Sequence, residues 1–426
     1  MPPIQDHPLR YQLSNEMHAR PFPTVQHCCR VMYLAVKQPQ EAVSRDRGLD
    51  RAHLISLLDR HGATHPQPGA THHSAQIGRN MLTWESHTEF VSYTVFLPGL
   101  GERPFDATDF SVFPEDWLEQ APGQRVTSIQ IRVQDRPEEA EIDAALDEWF
   151  VPESLAASRV LSDAAVAAGD FRIDPAGHVR FAIFANPDMS ERHIGRIVQR
   201  LNEIETYKSM SMLGLSRVRQ MSDRVGQLDA QLTELMIGIS DDHSPAEESL
   251  QPLLRIATAL ETQGARAAFR FAATLAYEAI VNQRIELMRE QRFPQRQTFS
   301  EFMLRRFDPA MRTVQATDRR LAQLSDRAMR AGELLRTQID VQRSAQNQAL
   351  LESMDKRADL SLRLQTTVEG LSVVAISYYA VSLVSFALYP LGSGLGMSKG
   401  MLTAAITLPV VAGVWYAVRR IRKSFH

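Results

Sequence analysis

Apolar positions along the chain fall into three regimes, and each predicts a different architecture. Over residues 1–188, short apolar runs separated by polar breaks show the two-residue period of half-buried strands. Strands are predicted at Arg30–Lys37, Gln76–Trp84, His87–Leu97, Arg125–Val133, Ala157–Phe171 and Val179–Ala185, with helices at Leu49–Arg60 and Pro137–Trp149. Residues 61–74, HGATHPQPGATHHS, read as a loop by their glycine, proline and polar content.

The second regime is helical. From Ser190, a candidate N-cap, the period runs to about Met236, and a polar break at Ser240–Ser244 precedes further helices to Phe307. Asp308-Pro309 is a helix start, with aspartate as cap and proline in the first turn. From Ala310 to Tyr389 there is no proline, and Gly332 and Gly370 are the only glycines. One helix on the order of 120 Å is therefore predicted. Val314, Leu321, Leu324, Ala328, Ala331 and Leu335 follow heptad spacing. The spacing stutters at Ile339 and Ala345 and resumes at Leu350, Met354 and Ala358. Such a stripe needs cover, from another helix of the chain or from a second copy.

The third regime is continuous apolarity. Val368–Tyr389 holds one charge, Glu369, and spans about 33 Å as a helix, enough for a hydrocarbon core of about 30 Å. Met401–Val418 is uncharged, with Pro409 inside it and Trp415 and Tyr416 near one end. The link Pro390–Gly400 is short and glycine-rich, so the two segments are expected to form a transmembrane hairpin in a lipid bilayer. Lys356, Arg357 and Arg363 precede the first span, and Arg419, Arg420, Arg422 and Lys423 follow the second; the link has only Lys399. That asymmetry places the N- and C-termini in the cytoplasm.

The expected fold class is α+β. It comprises an N-terminal mixed α/β domain (1–188), a helical domain (189–307), a long stalk helix (308–367), a two-helix hairpin (368–418) and a basic tail (419–426). A net charge of -3 argues against nucleic acid as a partner. The first thirty residues hold charges and prolines and no apolar run of a secretory leader. Cys28 and Cys29 are adjacent and cannot staple distant segments, so they read as free thiols of a reducing compartment.

Candidate chemistry is sparse. DHPLRYQLSNEMHARPFP gathers Asn15, Glu16, His18 and Arg20, together with His7 and Arg10, into an anion-binding or acid–base set, or simply into a docked arm. In WESHTEF, strand alternation would put Glu85, His87 and Glu89 on one face, able to hold a divalent metal or raise the imidazole pKa. A solvated polar face has the same spacing. His65, His72 and His73 are too loosely spaced for zinc. Nucleotide, hydrolase and metalloprotease signatures are absent, so no catalytic residue and no cofactor is indicated and the chain is not expected to be an enzyme.

NEMHARPFP, WESHTEFVSYT, ETYKSMSMLGL and LQTTVEGLSVVAISYYAVSL resemble a bacterial family of unknown function, DUF3422, described as predicted membrane-anchored proteins with a His-Ala-Arg motif, here His18-Ala19-Arg20. The resemblance covers essentially the full chain and implies the bacterial inner membrane. The order of elements is also similar to CorA-type magnesium channels, whose first span ends in Gly-Met-Asn; this chain has Gly396-Met397-Ser398 instead.

Three functions follow as expectations. The first is a homo-oligomeric CorA-like divalent-cation channel, transporter or ion sensor, assembled through stalk and hairpin. In it Ser377, Ser382 and Ser385 would line a path, and Glu352, Asp355 and Glu369 its mouth. The second is a membrane-anchored scaffold or sensor whose cytoplasmic domain binds a protein or small ligand. The third is a membrane-tethered enzyme.

Overall fold

The computed structural model describes residues 4–11, 13–14, 22–39, 42–240, 246–394 and 398–424. Asn15, Glu16, His18, Arg20, most of the break at 240–244 and Gly396-Met397 lie outside the described residues. Two compact units divide the chain, one holding residues up to 244 and 251–331, the other 245–250 and 332–426.

In the first unit the strands are β1 (Cys29–Lys37), β2 (His72–Ile77), β3 (Asn80–Ser86), β4 (Phe90–Pro98), β5 (Gln124–Asp135), β6 (Ala156–Val160), β7 (Ala165–Ile173), β8 (Val179–Ala185) and β9 (Gln291–Arg292). They form one sheet in the order β2-β3-β4-β1-β5-β8-β7-β6-β9. Only the β5–β8 pairing is parallel among the pairs described.

Three predicted strands are corrected. Gln76–Trp84 is the turn of a hairpin: Gly78 takes a left-handed φ of 58°, open to glycine without strain, and reverses the chain between β2 and β3. His72 and His73 therefore belong to β2 rather than to a loop. Ala157–Phe171 is likewise a hairpin, broken where Leu161, Ser162 and Asp163 all adopt positive φ. His87–Leu97 loses its first three residues, because His87–Glu89 form the connection between β3 and β4.

The helices of this unit are α1 (Arg47–Arg60), α2 (Glu115–Glu119), α3 (Glu139–Trp149), α4 (Glu191–Ser240), α5 (Ala246–Met288), α6 (Phe299–Arg306) and the first part of α7 (Asp308–Gly394). One sheet face buries Val31, Tyr33, Ile129, Phe181 and Ile183 against Ile194, Ile197, Val198 and Leu201 of α4 and Val281 and Met288 of α5. The opposite face packs Leu34, Trp84, Tyr93 and Val95 against Leu54, Leu57 and Leu58 of α1 and Trp117 of α2. Alternation along β3 makes this division: Trp84 enters the second core, so Glu85 faces the helices.

Helices α4 and α5 approach closely where Gly214 meets Thr274, since a Cβ on Gly214 would lie 2.3 Å from Thr274 Oγ1. The stripe on α7 is buried from Val314 through Ala331, and Asp229 of α4 is bracketed by Arg320 at 2.6 Å and Arg327 at 3.2 Å.

In the second unit Leu335 and Ile339 are buried, whereas Val341, Leu350, Leu351, Met354 and Leu360 are all at least 59% exposed. Helix α7 runs on to Gly394 with Pro390 inside it, and α8 (Lys399–Ser424) begins after a short connection. The predicted link is therefore shorter than Pro390–Gly400. Proline at position 390 ends no helix here, because four residues of helix continue past it. Two helices, within Asp308–Leu391 and Lys399–Ile421, are long and apolar enough to cross a membrane.

Candidate functional site

The connection between β3 and β4 is built by one buried arginine. Arg45 Nε donates to Asp50 Oδ2 at 2.7 Å, and both side chains are almost wholly buried. The remaining guanidinium hydrogens go to Thr88 O at 2.5 Å, His87 O at 2.8 Å, Phe90 O at 3.1 Å and Ala42 O at 2.9 Å. Three bonds from this fixed fork thereby hold residues 87–90 in one conformation, while the others tie it to Asp50 and Ala42.

That conformation splits the predicted face. His87 stacks on Phe90 at 4.2 Å between ring centroids and points Nε2 at Ser92 Oγ, 3.3 Å away, and at Glu85 Oε2, 3.6 Å away. Glu89 goes elsewhere. It is buried, accepts from Arg270 and, at 2.8 Å, from Tyr277 Oη of α5, and has Lys37 Nζ at 3.9 Å. Burial first, then Arg270 and Arg45, pull the Lys37 ammonium below its usual pKa, against the pull of Glu89. A carboxylate so neutralised is a poor metal ligand. No group of three or more His, Cys, Asp or Glu among the described residues is placed to hold a metal ion, so the Glu85/His87/Glu89 metal set is corrected to a Glu85–His87 pair.

Glu85 and His87 wall a cavity of about 40 Å³ between the sheet and α4. Its other walls include Tyr33, Thr83, Thr94, Asn202, Thr206 and Tyr207, with Pro23 of the N-terminal segment at one side. Thr206 Oγ1 donates to Tyr33 Oη at 2.9 Å, and burial pushes the Tyr33 phenol far above its ordinary pKa, so it stays protonated. Gln199 Nε2 donates to Glu203 Oε1 at 3.1 Å, which fixes the amide orientation. Its Oε1 is then buried without a protein donor, and so is Asn202 Oδ1. A water needs about 10–15 Å³ of such space and several polar partners, so the cavity has room for a few small polar atoms.

Asn202, Thr206 and Gln199 are the residues that sequence reasoning missed. A signal was present: Asn202 and Thr206 sit four apart on a helix face otherwise given over to Ile194, Ile197, Val198 and Leu201. A polar pair within an apolar stripe marks either a satisfied network or a site.

Cys29 is buried and its thiol is pushed up to about 12 by burial, while Cys28 Sγ lies 3.6 Å from Asp135 Oδ2. Burial thus disfavours the Cys29 thiolate. His65 pairs with Asp59 at 2.6 Å, and His73 with Thr64 O at 2.7 Å.

In the second unit Ser377, Ser382 and Ser385 line a cleft of about 790 Å³ between α7 and α8, with Lys399, Thr403 and Thr407 opposite. Ser377 Oγ and Ser385 Oγ are buried and without a protein partner, whereas Thr403 and Thr407 donate back to carbonyls one turn earlier. Glu352 and Asp355 are exposed on α7, and Glu369 accepts from Gln365 at 3.3 Å.

A family model described as a protein of unknown function, DUF3422, matches residues 5–425. No curated protein matches the chain. The comparisons lend no support to the likeness to CorA-type channels.

Proposed function

We propose, from the premise that the chain belongs to the DUF3422 family, that it is a membrane-anchored sensor whose α/β domain binds a small donor-bearing molecule. The observation behind this reading is the cavity between β3, β4 and α4, with two amide oxygens, of Gln199 and Asn202, buried and lacking donors. An unsatisfied buried acceptor costs about 1–3 kcal/mol, which an N–H or O–H group of a ligand would recover. The ligand class is therefore a small amine, guanidine or alcohol of a few heavy atoms.

On this reading the two apolar helices are a bilayer anchor in the bacterial inner membrane, with both termini cytoplasmic. The basic residues flanking the hairpin, against Lys399 alone in its connection, support that orientation. The exposed apolar residues of α7 between Val341 and Leu360 support self-association through the stalk, since an uncovered apolar stripe is stabilised by burial against a partner helix.

The test is a thermal-unfolding screen of the detergent-solubilised full chain with ammonium, methylammonium, guanidinium and ethylene glycol. A saturable rise in midpoint, absent in Asn202→Leu, is expected; identical responses in the two proteins would contradict the reading. Carbonate extraction and a reporter fused after His426 test the anchor.

The hydroxyl-lined cleft favours a second reading, an oligomeric channel for cations. Cation flux into proteoliposomes, reduced by Ser377→Ala and Ser385→Ala, would support it. Absence of flux under any gradient would remove it.

A further inference from the structure

Four arginines converge where the start of α4 meets the end of α5. Arg196 and Arg200 stand one turn apart on α4, which places their Cβ atoms about 5–6 Å from each other. Arg284 stands four residues before the end of α5 at Met288, and Arg289 is the residue following that end. Arg200 is half-buried; burial and then the charges of Arg196, Arg284 and Arg289 lower its pKa, with Glu203 opposing.

The counter-charge is small. Glu203 is engaged by Arg284 Nε. Arg200 Nη1 donates to Leu287 O at 2.9 Å, a carbonyl at the C-terminal end of α5, where the helix presents roughly half a negative charge. Arg196 lies over the Phe22 ring at 5.2 Å, and its Nε is buried without a partner. Three other half-buried arginines of this unit are matched by carboxylates. Arg136 and Arg159 share Glu139 and Asp163, and Arg296 takes both Asp143 and Asp147. Four guanidiniums with one carboxylate engaged among them repel one another, and an anion of two negative charges would offset most of that repulsion.

We propose that Arg196, Arg200, Arg284 and Arg289 form a binding site for a phosphate-class oxyanion, which adjoins the cavity of the α/β domain through Glu203. Planar guanidiniums match phosphate oxygens in paired hydrogen bonds, and a phosphate near pH 7 supplies up to about two negative charges toward the missing ones. The same chemistry is offered by a soluble phosphate and by an acidic phospholipid headgroup.

Thermal unfolding of the full chain tests the proposal, with sodium phosphate against sodium chloride at equal ionic strength. A second arm compares proteoliposomes of phosphatidylcholine with and without phosphatidylglycerol. The variant is Arg289→Gln, an exposed position outside the cavity and after the last residue of α5. Without an added anion, this variant is expected to be as stable as the parent or more stable, because a repulsive charge has gone. With phosphate it should bind about tenfold or more weakly and lose the gain that the parent shows. A gain in detergent identifies soluble phosphate, and a gain confined to phosphatidylglycerol membranes identifies the headgroup. If neither arm stabilises the parent, or if the variant gains equally, the proposal is overturned.

Discussion

The carbonyl oxygen of Pro23 occupies the space that a side chain at Gly195 would fill: a Cβ there would lie 1.8 Å from that oxygen. With Val25 N donating to Glu191 O at 3.1 Å, this contact seats the N-terminal segment on the first turns of α4, where Pro23 becomes a wall of the cavity.

Gly195→Ala must therefore displace Pro23. Forcing one carbon into such a contact costs about 1–3 kcal/mol. A lower unfolding midpoint is expected, together with a weaker response to any ligand of the cavity. An unchanged midpoint would show that the segment yields freely.

Asp50→Ala leaves the Arg45 guanidinium buried without its carboxylate. Removing one partner of a buried pair costs about 3–5 kcal/mol. Because Arg45 also holds residues 87–90, the loss should disturb the stacking of His87 on Phe90. Denaturant unfolding measures the first effect, and the imidazole NMR resonances of His87 report the second.

His53 provides a pH test. Its ring lies buried against Trp117, with Nε2 at 2.9 Å from Trp117 O and Nδ1 at 3.0 Å from Tyr93 Oη. The carbonyl requires a proton on Nε2, so Nδ1 accepts from the phenol and the ring is neutral. Burial lowers its pKa below 6.5. The unfolded chain then binds the extra proton first, so stability is full above about pH 6.5 and falls as pH drops toward the folded value. His53→Gln should flatten that fall between pH 7 and 5, as measured by unfolding midpoints. His27 contributes with opposite sign. Burial lowers its pKa, but the Met189 carbonyl and Asp135 outweigh that and raise it. Its contribution is therefore present below pH 6.5 and fades as pH rises through the folded value. His53→Gln leaves this part untouched.

Asn202→Leu separates binding from folding. It removes a buried oxygen that has no donor and fills part of the cavity with methyl groups. The expected result is stability unchanged or raised by up to about 1–3 kcal/mol, with ligand response abolished. A strongly destabilised protein would instead assign Asn202 to a structural network.

How far the sequence discloses this molecule depends on the kind of signal. Long-range periodicity was legible: the α7 stripe, the two apolar helices and the α+β division all follow from spacing alone. Turns were not: Leu161-Ser162-Asp163 reverses the chain without a glycine, and Gly78-Arg79 falls inside a stretch, Gln76–Trp84, that reads as a single strand. For the site, strand alternation correctly turns Glu85 away from Trp84, but His87 lies in the connection after β3, where alternation no longer holds. The fate of Glu89 was not legible, because it depends on Arg270 and Tyr277, 181 and 188 residues further along the chain. Asn202 and Gln199 become visible only once α4 lies on the sheet.

The most direct test of the sensor reading is calorimetric titration of the full chain in detergent micelles with the most stabilising molecule of the screen, parent against Asn202→Leu. The account predicts saturable binding at one site per chain in the parent and no measurable binding in the variant. Equal binding by both proteins, or none by the parent at any concentration, would contradict it.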